Sequence, residues 1–220
     1  MQDLALTQHQ IMRGTTFLHY WLAGPSSCPL VVFTHGGLMD HRMFEAQLAS
    51  VAREYRVLLW DIHGHGQSQP MGMGGAFTLR TVVDDLLAIV DLLGYRQACF
   101  VGQSLGSSIT QELAFLYPER VTALVVIGGM PLMMEHPQTV LRRLQGQPRG
   151  VLSADVEPSL GDMVALRPAV KAYVQEAASR VGRETLPAIR KALPGFFHEE
   201  ADYHIPIRMK LRKDEIGSHP

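Results

Sequence analysis

Cysteine is scarce: the 220 residues hold two, Cys28 and Cys99. Two are too few for a disulfide framework, and their spacing matches no metal site. Surplus charge is missing as well, with 20 Lys and Arg against 21 Asp and Glu and a formal net charge of −1. That balance supplies no basic footprint for nucleic acid and no polybasic anchor for a membrane. No apolar run approaches the roughly 18 residues of a membrane-spanning helix. The segment Met1–Arg13 is polar and lacks the apolar stretch of a secretory leader. The expectation is a cytoplasmic protein with no nucleic-acid and no membrane partner. What is present is ordinary for a globular chain, 46% apolar and 19% charged, and long enough to bury a sizeable core.

Four short apolar runs stand out, each ending at turn-forming residues. Leu30-Val31-Val32-Phe33-Thr34 ends in His35-Gly36-Gly37, and Arg56-Val57-Leu58-Leu59-Trp60 ends in Asp61. Gln97-Ala98-Cys99-Phe100-Val101 ends in Gly102, and Val121 to Ile127 ends in Gly128-Gly129. Runs that are continuous rather than alternating predict strands buried on both faces, as in a parallel sheet. Helical patterns fill the gaps at Met43–Val51, Thr78–Leu93 and Ser107–Tyr117. Thr78 is placed to cap the second and Gly94 to close it. Asp84 and Asp85 on that helix are expected to face solvent. Before the first run, His9–Met12 and Thr15–Leu22 flank Gly14 as an antiparallel hairpin.

These alternations predict an α/β fold with a mostly parallel twisted sheet flanked by helices. After Gly129 the composition shifts to prolines and short helical patterns at Thr139–Leu144, Pro168–Arg180 and Glu184–Leu193. That region reads as a helical insertion over the sheet, and Ile205–Leu211 then resumes as a strand. Residues 1–130 would form the core, 131–204 the cap and 205–220 a remnant of the C-terminal core.

The chemistry concentrates at Gly102-Gln103-Ser104-Leu105-Gly106. This is a G-x-S-x-G pattern between an apolar strand and a helix, the setting of a nucleophile elbow. Ser104 is the candidate nucleophile. Leu105, first in the helix, offers a backbone N–H to a developing oxyanion. The turn His35-Gly36-Gly37-Leu38 offers a second donor, at Gly37 or at Leu38. His35 itself reads as a brace for that turn. His63 and His65 have a ligand-like spacing, but no further ligand cluster accompanies them, so no metal is expected. No lysine follows Gly106 and no G-x-G-x-x-G occurs at His35-Gly36-Gly37, against a phosphate loop or a dinucleotide site. Met71–Gly75 reads as a flexible loop.

Together these segments resemble the α/β-hydrolase superfamily. The marks are His35-Gly36-Gly37, Asp61-x-His63-Gly64-x-Gly66-x-Ser68, the elbow, and Tyr117-Pro118-Glu119-Arg120-Val121. The second mark has His63 where the family usually has Arg. The resemblance covers residues 9–130 and, more weakly, Ile205 onwards. It is similar to small esterases, enol-lactonases, cofactor-free haloperoxidases and C–C hydrolases with a helical cap. It implies a small-molecule substrate, no cofactor, and an acyl-enzyme on Ser104. It also implies Asp214, shortly after Ile205-Pro206, as the acid that orients a histidine. The base is open: His219 keeps the family order without the strand that should carry it, and His136, His198 and His204 lie in the cap region. By this comparison the chain is C-terminally truncated, short of a last strand, a last helix and a histidine. Two readings follow, a serine hydrolase of a small, largely apolar ester or lactone, or a base-less homologue or fragment that keeps only a ligand pocket.

Overall fold

A computed structural model of the chain describes residues 6–72, 77–128 and 168–192. The apolar runs become strands: β1 (Thr7–Arg13), β2 (Thr16–Ala23), β3 (Leu30–Thr34), β4 (Arg56–Trp60), β5 (Ala98–Gln103) and β6 (Val121–Ile127). They form one sheet in the order β1-β2-β4-β3-β5-β6. From β4 to β6 every pairing is parallel, and β1 and β2 add an antiparallel hairpin on the β4 side. The helices are α1 (Glu45–Val51), entered through a 3₁₀ turn at His41–Phe44, α2 (Leu79–Leu92), α3 (Leu105–Leu116), α4 (Pro168–Ser179) and α5 (Thr185–Ala192).

Alternate residues of each inner strand feed two separate cores, which is why their runs are continuous. Leu30, Val32, Leu58, Trp60 and Phe100 pack with Val82, Val83, Leu86 and Ile89 of α2 and Ile109 and Leu113 of α3. On the opposite face Val31, Phe33, Val57, Leu59 and Val101 pack with Trp21, Phe44 and Ala52. Helix α2 starts where its cap residue dictates. The Thr78 hydroxyl accepts from the Thr81 N–H at 3.1 Å while the Thr81 hydroxyl accepts from the Thr78 N–H at 3.3 Å, a reciprocal capping box. Gly94 ends the helix at φ 78°.

Two expectations are corrected. Asp85 does not face solvent: it is 4% exposed, because its position on α2 points toward β1 and the β4–α2 connection. Arg13 Nε donates to its Oδ1 at 2.7 Å, and His63 Nε2 stands 2.7 Å from its Oδ2 without hydrogen-bond alignment. Asp84, one residue earlier, is the partly exposed member and accepts from the Tyr117 hydroxyl at 3.1 Å. Met71 belongs to the core rather than to a free loop, at 1% exposure beside the α2 cluster.

The helices expected at Pro168–Arg180 and Glu184–Leu193 are α4 and α5. The helix expected at Thr139–Leu144, the strand expected at Ile205–Leu211 and the proposed domain boundaries lie outside the described residues. Among the described residues no helix is long and apolar enough to cross a membrane.

Candidate active site

Ser104 sits between the end of β5 and the start of α3, at φ 50° and ψ −112°. A non-glycine residue at such an angle is strained by about 1–3 kcal/mol and persists only where its surroundings over-determine it. Those surroundings are visible. The Ser104 N–H donates to the Ile127 carbonyl of the neighbouring strand at 2.9 Å, and its carbonyl accepts from the Ser107 N–H at 2.9 Å. The Ser107 hydroxyl donates to the Gly102 carbonyl at 2.7 Å. The flanking glycines are required by contact rather than by dihedral angle. A Cβ on Gly106 would overlap the Thr34 carbonyl oxygen and lie 2.7 Å from that of His35, and a Cβ on Gly102 would lie 2.6 Å from the Thr110 hydroxyl. The outcome is a serine lifted to an exposed position at the C-terminal edge of the sheet, at the positive end of α3.

The turn after β3 lies alongside. A Cβ on Gly36 would stand 3.3 Å from the Gln103 carbonyl, and one on Gly37 would stand 3.9 Å from Leu105 Cδ2. Met39 N–H donates to the Gly36 carbonyl at 3.2 Å across this turn. Leu38 occupies its third position at φ 71°, the positive angle of a type II turn. Leu105 is the first residue of α3, so its N–H has no intrahelical acceptor. The structure therefore gathers Ser104, Leu105, Gly37 and Leu38 at adjacent strand ends. Asp214 and the histidines at 136, 198, 204 and 219 lie outside the described residues.

His35 is fully buried with both ring nitrogens engaged. Its Nε2 accepts from the Ile62 N–H at 3.0 Å, which leaves the proton on Nδ1 to donate to the Gly36 carbonyl at 2.7 Å. Burial is the main cause that lowers its pKa below the usual histidine value, against an opposing pull from Asp61. A neutral ring tied at both ends braces the β3 and β4 turns and cannot shuttle protons.

The segment from Asp61 to Ser68 is likewise a wall of internal bonds. Asp61 Oδ1 accepts from the His41 N–H at 2.8 Å and stands 2.9 Å from His41 Nδ1, while Oδ2 accepts from the Gln67 N–H at 2.8 Å. The His41 ring stacks on Trp21 with centroids 3.4 Å apart. Ser68 Oγ accepts from the His19 N–H at 2.9 Å. Among the described residues no group of three His, Cys, Asp or Glu could hold a metal ion.

Sequence reasoning missed the His41–Asp61 pair and the polar seat of α4 and α5. Tyr173 of α4 contacts Asp40, and the Thr185 hydroxyl of α5 donates to the Gly64 carbonyl at 3.1 Å. The available signal was indirect: Asp61, an aspartate ending a buried strand, must find donors, but nothing in the sequence says where. A groove between Gly66, Gln69, Pro70 and the α4–α5 turn carries none of the elbow residues.

A mostly parallel sheet whose fifth strand turns through an exposed serine into a helix, beside a glycine turn, defines a class: α/β proteins with a doubly covered sheet and a sharp strand-to-helix turn at its C-terminal edge. The family model described as alpha/beta hydrolase fold matches residues 29–203, and the chain belongs to that family. It is 32% identical over 132 residues to epoxide hydrolase 4 of Mus musculus, covering 58% of this chain and 36% of that protein. It is 33% identical over 125 residues to 3-oxoadipate enol-lactonase 1 of Acinetobacter baylyi, covering 55% of this chain and 46% of that protein. The matches thus span less than half the length of these curated relatives. Among solved structures, a hydrolase from Pseudomonas aeruginosa is similar at 26% identity and a TM-score of 0.68, over 88% of this chain and 73% of that one.

Proposed function

We propose that the protein is a serine hydrolase acting on a small, largely apolar ester or lactone. The observation that carries this reading is the backbone of Ser104, held at φ 50° between two glycines that admit no side chain. In this reading Ser104 Oγ attacks the carbonyl carbon, a base takes its proton, and the C=O electrons move to oxygen. The N–H groups of Leu105 and of Gly37 or Leu38 receive that oxyanion. Collapse expels the alcohol oxygen, which takes the proton, and water then cleaves the acyl-enzyme. Asp214 would orient the base, whose identity stays open, and residues 131–204 would cover the site as a cap.

The similar proteins include an epoxide hydrolase and an enol-lactonase, and the nucleophile favours the second chemistry. A serine that opened an epoxide would be left as an ether, with no carbonyl for water to attack. A serine that opened a lactone is left as an ester, which water can cleave.

The test is a fluorophosphonate probe followed by peptide mass mapping. Labelling confined to Ser104, and abolished in Ser104→Ala, is expected. A folded sample that stays unlabelled would overturn the reading and favour a base-less homologue.

A further inference from the structure

Helix α4 reaches back to the loop that carries the second oxyanion donor. Tyr173 stands 133 residues from Asp40 in sequence, yet its hydroxyl lies 3.3 Å from the Asp40 carbonyl and 3.3 Å from Oδ1, where it can donate. It also accepts from the Asp40 N–H at 3.5 Å. One phenol therefore serves three polar atoms of a single residue, and that residue is two positions beyond Leu38. Asp40 is 1% exposed. Its carbonyl also accepts from the Met43 N–H at 3.1 Å, and its carboxylate meets Arg42, through Nη2 at 2.7 Å and Nε at 3.1 Å to Oδ2, with Oδ1 accepting from the Arg42 N–H at 3.0 Å. The Arg42 guanidinium lies 5.2 Å over the Tyr173 ring and reaches Glu176, one helical turn along α4, at 3.1 Å.

We propose that Tyr173 is a positioning residue that couples the seating of α4 to the shape of the Gly37–Leu38 turn. The proposal rests on the serine-hydrolase reading for its catalytic consequence, though not for the coupling itself. Leu38 holds a left-handed angle of 71°, which costs about 1–2 kcal/mol for a residue with a Cβ. Such a residue relaxes when its anchors loosen. The turn is anchored upstream by the buried strand β3 and downstream by Asp40, and Asp40 is gripped from α4. Burial, followed by the negative charge of Asp40, raises the Tyr173 pKa, so the hydroxyl stays protonated and able to donate throughout the working range. Burial pushes the Asp40 carboxyl the opposite way from its Arg42 hydrogen bonds, and the latter prevail, holding it below the ordinary aspartate value. The α4 side of the grip is polar, with Tyr173 half-buried and Glu176 exposed, so it can open and re-form without unfolding the sheet. An α4 that lifts would release the donor turn, and an α4 that seats would set it.

Tyr173→Phe removes the hydroxyl and keeps the ring beneath Arg42. Hydrogen exchange of the Met39 amide, which closes the turn onto the Gly36 carbonyl, is expected to quicken roughly fivefold, the weight of one lost hydrogen bond. The rate constant for probe labelling of Ser104 should fall about tenfold, less than the loss for deleting an oxyanion donor. With an ester substrate, kcat should fall while KM holds. Arg42→Lys, which loses the planar fork and the stacking, should shift all three readouts the same way, and decides the matter if Tyr173→Phe fails to fold. Unchanged exchange at Met39 in a folded variant overturns the coupling whatever Ser104 does. Faster exchange with unaltered labelling and kcat overturns the positioning role. A wild type that never labels overturns the serine reading and the catalytic consequence, while the exchange arm still decides the coupling.

Discussion

His35 and His65 form a buried pair whose rings lie 5.2 Å apart between the β3 and β4 turns. Burial first, and the neighbouring His35 second, push the His65 pKa down to about 3. Its Nδ1 lies 3.0 Å from the His63 carbonyl, while its Nε2 is buried without a hydrogen-bond partner. Both rings are thus held neutral in the folded protein, whereas in the unfolded chain they take up protons near pH 6.5. Between those values the unfolded state binds more protons, so stability is full above about pH 6.5 and is lost as pH falls. Each ring contributes a slope of at most about 1.4 kcal/mol per pH unit. Urea midpoints measured at pH 7.5, 6.5 and 5.5 should therefore decline steadily below pH 6.5. A flat profile would mean that neither ring is buried neutral. The role of His35 as a brace was legible from its place between a strand and two glycines. Its second partner, the Ile62 N–H, was not, because that contact exists only once β4 lies beside β3.

The elbow is a property of two elements in contact. Helix α3 approaches β3 so closely that a Gly106 Cβ would enter the backbone of Thr34 and His35. No side-chain rotation relieves a clash with main-chain atoms. Gly106→Ala should therefore lower stability by about 1–3 kcal/mol or more and slow probe labelling, read by thermal melt and by mass spectrometry. Gly94→Ala is the contrast. Its Cβ meets nothing within 4 Å, and only the φ of 78° opposes it, so the loss should be about 1–2 kcal/mol with labelling unchanged. Equal damage from both variants would mean that the α3–β3 approach is not tight. G-x-S-x-G was readable as a motif because its requirements are local. The reason for its second glycine was not readable, since the atoms it avoids are about 70 residues away in sequence.

At the scale of the whole molecule, the described residues protect the sheet unevenly. At the β1 end the hairpin presents mostly polar side chains, with Gln8, His9 and Gln10 exposed. At the β6 end Val125, Val126 and Ile127 are 43%, 42% and 44% exposed. An apolar strand whose second edge meets no partner among the described residues is a template for pairing with another chain. Light scattering of this chain should show association that grows with concentration, and Val125→Lys should reduce it. A monodisperse sample at high concentration would count against this view of β6. The uneven protection has the same origin as the fold: among the described residues β6 pairs along one side, with β5.

The amino-acid sequence determined the features that depend on neighbours in the chain. The length and continuity of the apolar runs called for a doubly covered parallel sheet, the threonine at 78 set the start of α2, and the glycines around Ser104 marked the elbow. Pro168 to Leu193 carried enough helical pattern to place α4 and α5. Tertiary structure alone decided which polar groups meet. Asp85 looked like a solvated carboxylate until Arg13 and His63 were packed against it. Asp61 required a partner that proved to be His41, and Asp40, paired locally with Arg42, is also reached by Tyr173 from α4. The physical reason is that apolar burial is non-directional and leaves a periodic trace along the chain. A buried hydrogen bond depends on the direction and distance of two side chains brought together only when their elements pack.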